Sequence, residues 1–126
     1  MHGRGMKIER EHNAGRNAFT GYGEGYVEVG GTRYTASLVV SADRLAAWPA
    51  RSIDALDRSD LAPIVEMKPE ILLIGTGSTL GFPDPASLAD LHAARIGVEV
   101  MDTRAACRTY NILLGEGRHV VAALIL

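Results

Sequence analysis

The chain has 126 residues, 47% hydrophobic and 22% charged, the size and composition of one soluble globular unit long enough to bury a core. Its 13 Lys+Arg against 15 Asp+Glu give a formal net charge of -2, which argues against a nucleic-acid binder with a broad basic surface. A single cysteine cannot form an intramolecular disulfide, so a disulfide-stapled secreted scaffold is excluded.

No stretch approaches the roughly 20 apolar residues of a membrane span, and no membrane insertion is expected. The first residues lack the apolar region of a signal peptide, and Glu9 and Glu11 are unlike a transit peptide. The cytoplasm is the expected location. Residues 1–20 are polar, carry Gly3, Gly5 and Gly15 and show no period. They read as a mobile or loosely docked arm ahead of a single α/β domain over 21–126.

Regular structure is expected from near Tyr22. Gly25–Val29 and Thr32–Val40 flank Gly30-Gly31, a hairpin signal because a two-residue primed turn needs positive φ at both positions. Alternation places Tyr34, Ala36, Leu38 and Val40 on one face. Arg44–Trp48 reads as a further short strand, stopped by Pro49. Next comes a first helix with Asp60 as N-cap and Pro63 at its third position, where a missing N–H costs nothing. Leu61, Ile64, Val65 and Met67 face inward, and Pro69 sets the boundary at Lys68.

Ile71-Leu72-Leu73-Ile74-Gly75 is a continuous apolar run, as in a parallel strand buried on both faces. A loop follows to Pro83. A second helix is signalled by Asp84 as cap, Pro85 at the first helical position, Ser87–Arg95 as body and Gly97 past the end. Val98–Met101 forms a strand, and a third helix runs from Arg104 to Leu114 with Asp102 or Thr103 as cap. A turn over Gly115–Arg118 leads to a last strand, His119–Leu126. The alternation predicts a three-layer α/β domain with a central mixed β-sheet. An N-terminal antiparallel β-hairpin comes first, then βαβαβ-type units with a right-handed crossover between strands 71–75 and 98–101.

Two stretches are candidate sites. Gly75-Thr76-Gly77-Ser78 follows a buried strand, but the dinucleotide fingerprint fails: its sixth position is Leu80, and Phe82-Pro83-Asp84-Pro85 separates the loop from its helix. No Gly-Lys-Ser/Thr makes it a P-loop. It is either a glycine turn at a crowded sheet edge or a ligand or partner contact through free N–H groups. The second stretch holds Asp102, Thr103, Arg104, Cys107, Arg108, Tyr110 and Asn111. A helix N-terminus and two arginines four residues apart would favour an anion and lower a nearby thiol's pKa. Alternatively Asp102 or Thr103 is a cap, the arginines pair with carboxylates and Cys107 is a small core residue.

His2, His12, His92 and His119 have no spacing that ties them to Cys107 or to a metal. No catalytic residue, metal or cofactor is therefore assigned. Glu99, alone among apolar neighbours, is expected to pair with an arginine. Trp48 is expected to pack, or to anchor a partner if it lies on an edge.

Ile74-Gly75-Thr76-Gly77, Gly97-Val98-Glu99-Val100-Met101-Asp102-Thr103 and Ala105-Ala106-Cys107-Arg108-Thr109-Tyr110-Asn111-Ile112-Leu113, with Glu116 and Arg118, resemble the signature of a small domain-of-unknown-function family. It includes mitochondrial complex I assembly factor 3 and the adipogenesis-associated Mth-domain protein. The resemblance runs from near Gly25 to the C-terminus. It implies a three-layer fold with a central mixed sheet, no established catalytic activity, and an assembly role in the mitochondrial member. Two functions follow as expectations. The first is a non-catalytic binding or assembly-factor-like domain with a protein partner. The alternative is a domain or enzyme with a small anionic ligand between the Gly75–Ser78 loop and the start of the third helix, beyond the carboxyl ends of parallel strands. The oligomeric state stays open.

Overall fold

Two apolar runs, β6 (Ile71–Gly75) and β8 (Val120–Leu124), lie parallel at the heart of the sheet, because neither has a polar residue to turn toward water. The computed structural model describes residues 15–126. β7 (Gly97–Met101) joins β6 in parallel. β4 (Leu38–Val40) runs antiparallel to β8, and β5 (Leu45–Ala47) antiparallel to β4. The order β5-β4-β8-β6-β7 makes a five-stranded mixed sheet.

The fold class is the expected one, but the hairpin is not part of the central sheet. The hairpin, β2 (Tyr26–Val29) with β3 (Thr32–Tyr34), joins β1 (Phe19–Gly23) in a separate three-stranded antiparallel sheet. The antiparallel members of the large sheet are β4 and β5. The expected single strand over Thr32–Val40 breaks after Tyr34. Ser37 causes the break: its carbonyl accepts the Trp48 N–H at 2.9 Å and its Oγ accepts the Leu126 N–H at 3.1 Å. Thr35 and Ala36 therefore cross between the sheets, exposed.

Helix α1 (Arg58–Met67) starts before the predicted cap. The Asp57 carboxylate accepts from the N–H groups of Ser59 and Asp60, and the Asp60 carboxylate accepts from the Asp57 N–H, a reciprocal capping box. Asp60 is thus the third helical residue, and Pro63 lies inside the helix. Leu61 and Ile64 are buried, and Val65 and Met67 half-buried. The second helix is a 3-10 turn, Pro85–Leu88, capped by Asp84, that leads into a short α2 (Ala89–Ala93). It ends through Arg95 in the left-handed region (φ 61), not through Gly97, which already belongs to β7 and donates to the Glu70 carbonyl at 3.0 Å. Helix α3 (Thr103–Gly115) is capped by Asp102, whose side chain accepts the Ala105 N–H.

Leu72, Ile74, Val121 and Ala123 pack against α1, α2 and Trp48. On the opposite face Leu73, Val120, Ala122 and Leu124 pack against Ala106, Cys107, Tyr110 and Leu114 of α3 and against Phe19, Val27 and Val29. Of the expected arm, residues 1–14 lie outside the described residues. Its end belongs to the fold: β1 starts at the buried Phe19, two residues before the expected boundary, and the Asn17 N–H donates to the Ala42 carbonyl at 2.8 Å.

Candidate functional site

The glycine loop and the start of α3 do meet, and they are bonded to each other. The Thr103 hydroxyl accepts the Gly77 N–H at 2.9 Å and donates to the Ile125 carbonyl at 2.8 Å. The Thr103 N–H returns to the Gly77 carbonyl at 2.9 Å, and the Thr76 N–H goes to the Met101 carbonyl at 2.9 Å. One buried threonine therefore joins β6, β8 and α3. The N–H groups of Thr76 and Gly77, which a ligand would need, are already engaged. Gly75 permits this close approach: a Cβ there would lie 2.7 Å from Leu124 Cδ2 and 3.0 Å from Thr103 Cα. Ser78 is exposed beside the junction.

The second candidate stretch divides by helix periodicity. Thr103, Ala106, Cys107, Tyr110 and Leu114 form the buried face of α3, and Arg104 and Arg108 lie exposed. Cys107 is in the core beneath, not in a concavity with the arginines. Burial pushes its thiol up to about 12, against a smaller lowering by Arg108. Of the two readings of Cys107, activated thiol or small core residue, its burial fits the second, since desolvation of the thiolate outweighs the arginine charge.

Tyr110, Asn111 and Arg108 hold the N-terminal strand. The Tyr110 hydroxyl donates to the Asn17 carbonyl at 2.8 Å, and its ring meets Phe19 edge-on at 5.0 Å. Asn111 accepts the Phe19 N–H at 2.9 Å and donates to the Phe19 carbonyl at 2.8 Å. Arg108 donates to the Tyr22 hydroxyl at 3.0 Å, not to a carboxylate. Arg16 donates to the Leu114 carbonyl at the end of α3. The most distinctive block of the sequence thus works as an internal clamp. Burial also raises the Tyr110 phenol.

Glu99 is exposed on β7, and the ion pairs among the described residues are Arg58–Asp90 and Arg118–Glu70, so the expected Glu99–arginine pair is absent there. Among the described residues no cluster of His, Cys, Asp and Glu is placed to hold a metal, and no helix is long and apolar enough to cross a membrane.

Two surface features escaped sequence reasoning. A cleft of about 430 Å³ lies between β5 and α1, lined by Ala46, Trp48, Pro63, Ile64 and Met67, with Arg44 and Asp60 among its polar groups. Trp48 forms its floor, and its indole N–H donates to the Asp60 carbonyl at 2.9 Å. The Trp48-Pro49 pair was its one sequence signal. The second feature is the display of Leu80, 56% exposed, and Phe82, 68% exposed, on the loop after β6, which the sequence marks for its backbone N–H groups and not for these side chains. The loop is braced from within: the Thr76 hydroxyl donates to the Thr79 carbonyl at 2.6 Å and accepts the Gly81 N–H at 3.2 Å, while Pro83 is buried.

A family model described as a protein of unknown function (DUF498/DUF598) matches residues 19–125. The crystal structure of a Bordetella parapertussis protein superposes with a TM-score of 0.84 at 39% identity, covering 89% of this chain and 97% of that one. An uncharacterised Rhodobacter capsulatus protein is 33% identical over 114 residues, 89% of this chain and 86% of its own. NADH dehydrogenase [ubiquinone] 1 alpha subcomplex assembly factor 3 of Xenopus tropicalis is 31% identical over 104 residues. That match covers 81% of this chain and 56% of the frog protein, so the chain spans about half of that relative.

Proposed function

The chain belongs to the DUF498/DUF598 family, and on that footing we propose that it is a non-catalytic binding domain that docks on a protein partner in the manner of an assembly factor. Similarity to proteins named as assembly factors, across 81% of this chain in the frog case, motivates the class. The observation that carries the reading is the loop after β6. Large apolar side chains displayed on a braced backbone lose little entropy when a partner covers them, which is the property of interface hot spots. Leu80 and Phe82 meet that condition, because Thr76 fixes the loop that carries them. The chemistry elsewhere in the motif is already spent: Thr103, Tyr110 and Asn111 hold the fold together, and Cys107 is buried. A small-anion site is the weaker reading, since Arg108 already donates to Tyr22.

The test is a native pull-down with the intact chain and with the double variant Leu80→Ser/Phe82→Ser, whose substitutions lie outside the core. A partner recovered reproducibly by the parent and lost by the variant is the expected result. Recovery of no reproducible partner, or equal recovery by both chains, sinks the reading.

A further inference from the structure

The two edges of the five-stranded sheet are guarded differently. β7 carries the exposed Glu99 at its centre, and antiparallel pairing of two such edges about that residue would oppose two carboxylates. β5 is Leu45-Ala46-Ala47, with no charge and with Ala46 and Ala47 exposed. Its pairing with β4 fixes which backbone groups are spent. Ser41 N–H donates to the Arg44 carbonyl at 2.8 Å and Trp48 N–H to the Ser37 carbonyl at 2.9 Å, in the register Val40↔Leu45, Val39↔Ala46 and Leu38↔Ala47. Hydrogen-bonded and non-hydrogen-bonded pairs alternate along an antiparallel ladder. Arg44, Ala46 and Trp48 therefore face β4 with their backbone groups. The N–H and C=O of Leu45 and Ala47 point away from it, to an edge with no strand beside it among the described residues.

We propose that this edge pairs with the same edge of a second copy of the chain, antiparallel about a two-fold axis through Ala46, joining two five-stranded sheets into one of ten. The arrangement is self-complementary. Leu45 of each copy faces Ala47 of the other, and their outward N–H and C=O groups form four hydrogen bonds with none left over. Ala46 meets Ala46 at the axis, where the close spacing of a non-hydrogen-bonded pair accommodates the two methyl groups without a clash.

The flanks match as well. Ala46 shares a face with its β4 neighbour Val39, which packs on the α1 side of the sheet. Arg44, Ala46 and Trp48 therefore all face the cleft beneath α1. That cleft, about 430 Å³, leaves room for the added strand's side chains. In this register Arg44 of one copy stands opposite Trp48 of the other. Arg44 has no side-chain partner among the described residues, whereas Trp48 is bonded to Asp60 in the acidic first turn of α1. A cation without a partner thus meets an acidic helix start in each half of the interface. The pairing is independent of the Leu80–Phe82 surface, so the two proposals stand or fall separately.

Analytical ultracentrifugation of the full chain over a dilution series, with three variants, tests this. The parent is expected to form a reversible dimer. Ala47→Pro removes only an outward-pointing N–H, a position at which an edge strand tolerates proline, and should be monomeric with an unchanged circular dichroism spectrum. Ala46→Glu opposes two carboxylates at the axis and should weaken dimerisation at least about tenfold; it decides the question if Ala47→Pro fails to fold. Ala46→Cys should give a disulfide-linked dimer under mild oxidation, while a control cysteine at the exposed Thr32 should not. A parent chain that is monomeric at every concentration overturns the proposal. So does a dimer that ignores Ala46→Glu and leaves Ala46→Cys uncrosslinked.

Discussion

Asn111 grips the backbone of Phe19 from both sides, accepting its N–H at 2.9 Å and donating to its carbonyl at 2.8 Å. A side-chain amide here does what a neighbouring strand would do, and it ties β1 to a helix 92 residues away in sequence. The clamp is completed by Tyr110, through the Asn17 carbonyl and the Phe19 ring, and by Arg108 on Tyr22. Asn111→Ala should therefore cost about 1–3 kcal/mol, two lost hydrogen bonds to partly buried backbone groups. The loss should be local as well as global. Amide exchange at Phe19 should accelerate more than exchange at Leu73 in the sheet centre, and uniform acceleration would show that β1 is not a separately releasable element.

Thr103 is the other polar junction. Its hydroxyl is both donor, to the Ile125 carbonyl, and acceptor, from the Gly77 N–H. Thr103→Val keeps the shape and removes both bonds, leaving two backbone groups without a partner at a buried position; a loss of about 2–4 kcal/mol is expected. Thr103→Ser keeps the hydroxyl and should recover most of it. Urea denaturation of the three proteins measures this, and equal midpoints for the Val and Ser variants would show that the hydroxyl contributes nothing.

The elements that sequence reasoning placed well are those whose signals are local. The apolar run Ile71–Gly75 reads as a buried strand because no polar residue interrupts it. Asp84-Pro85 marks a helix start because both residues act within one turn. The failures came from partners distant in the chain or from a neighbour with the same side chain. Asp60 reads as the cap, but it is the third helical residue and shares a reciprocal capping box with Asp57, which the sequence reading passes over. Thr32–Val40 reads as one strand until Ser37 is seen to bond residues 11 and 89 positions away. The candidate site suffered most from distance. Arg108 with Tyr22, 86 residues apart, and Asn111 with Phe19 leave no trace in spacing, so the clamp is not among the readings that the spacing offers. The β5–α1 cleft was missed for the same reason, since Trp48 and Met67 come together only when the strand and the helix pack.

Cys107 supplies the pH-dependent prediction. Burial raises its folded-state pKa from the ordinary 9.0 to about 12. A raised pKa means that the folded protein holds the proton more tightly than the unfolded chain. The stability this represents is fully present below pH 9 and is lost as pH rises toward 12. The decline should approach about 1.4 kcal/mol per pH unit. Tyr110, also raised by burial, adds loss in the same direction. Cys107→Ala removes the thiol's share alone, so the stability gap between parent and variant should shrink steadily across that window. At neutral pH the native thiol should resist a thiol reagent and react on unfolding. Rapid modification of the folded protein would contradict the burial.

The two glycines of Gly75-Thr76-Gly77 should fail for different reasons when replaced by alanine. At Gly75 the backbone angle is ordinary and the space is missing: an added Cβ lies 2.7 Å from Leu124 Cδ2, 2.9 Å from Thr103 Oγ1 and 3.0 Å from Thr103 Cα. The leucine side chain can give way, but Thr103 Cα is helix backbone. Gly75→Ala must therefore push α3 off β6 and strain the Thr103 junction, at about 2–4 kcal/mol. At Gly77 the space is open and the angle is the obstacle: φ is +100, a region that alanine rarely adopts. Gly77→Ala should cost about 1–2 kcal/mol, all of it local strain. Asparagine tolerates positive φ better than alanine, so Gly77→Asn should be milder than Gly77→Ala, whereas Gly75→Asn should be worse than Gly75→Ala. Denaturation midpoints of the four variants separate the two causes. The same ranking at both positions would show that space and backbone angle had been assigned to the wrong glycines.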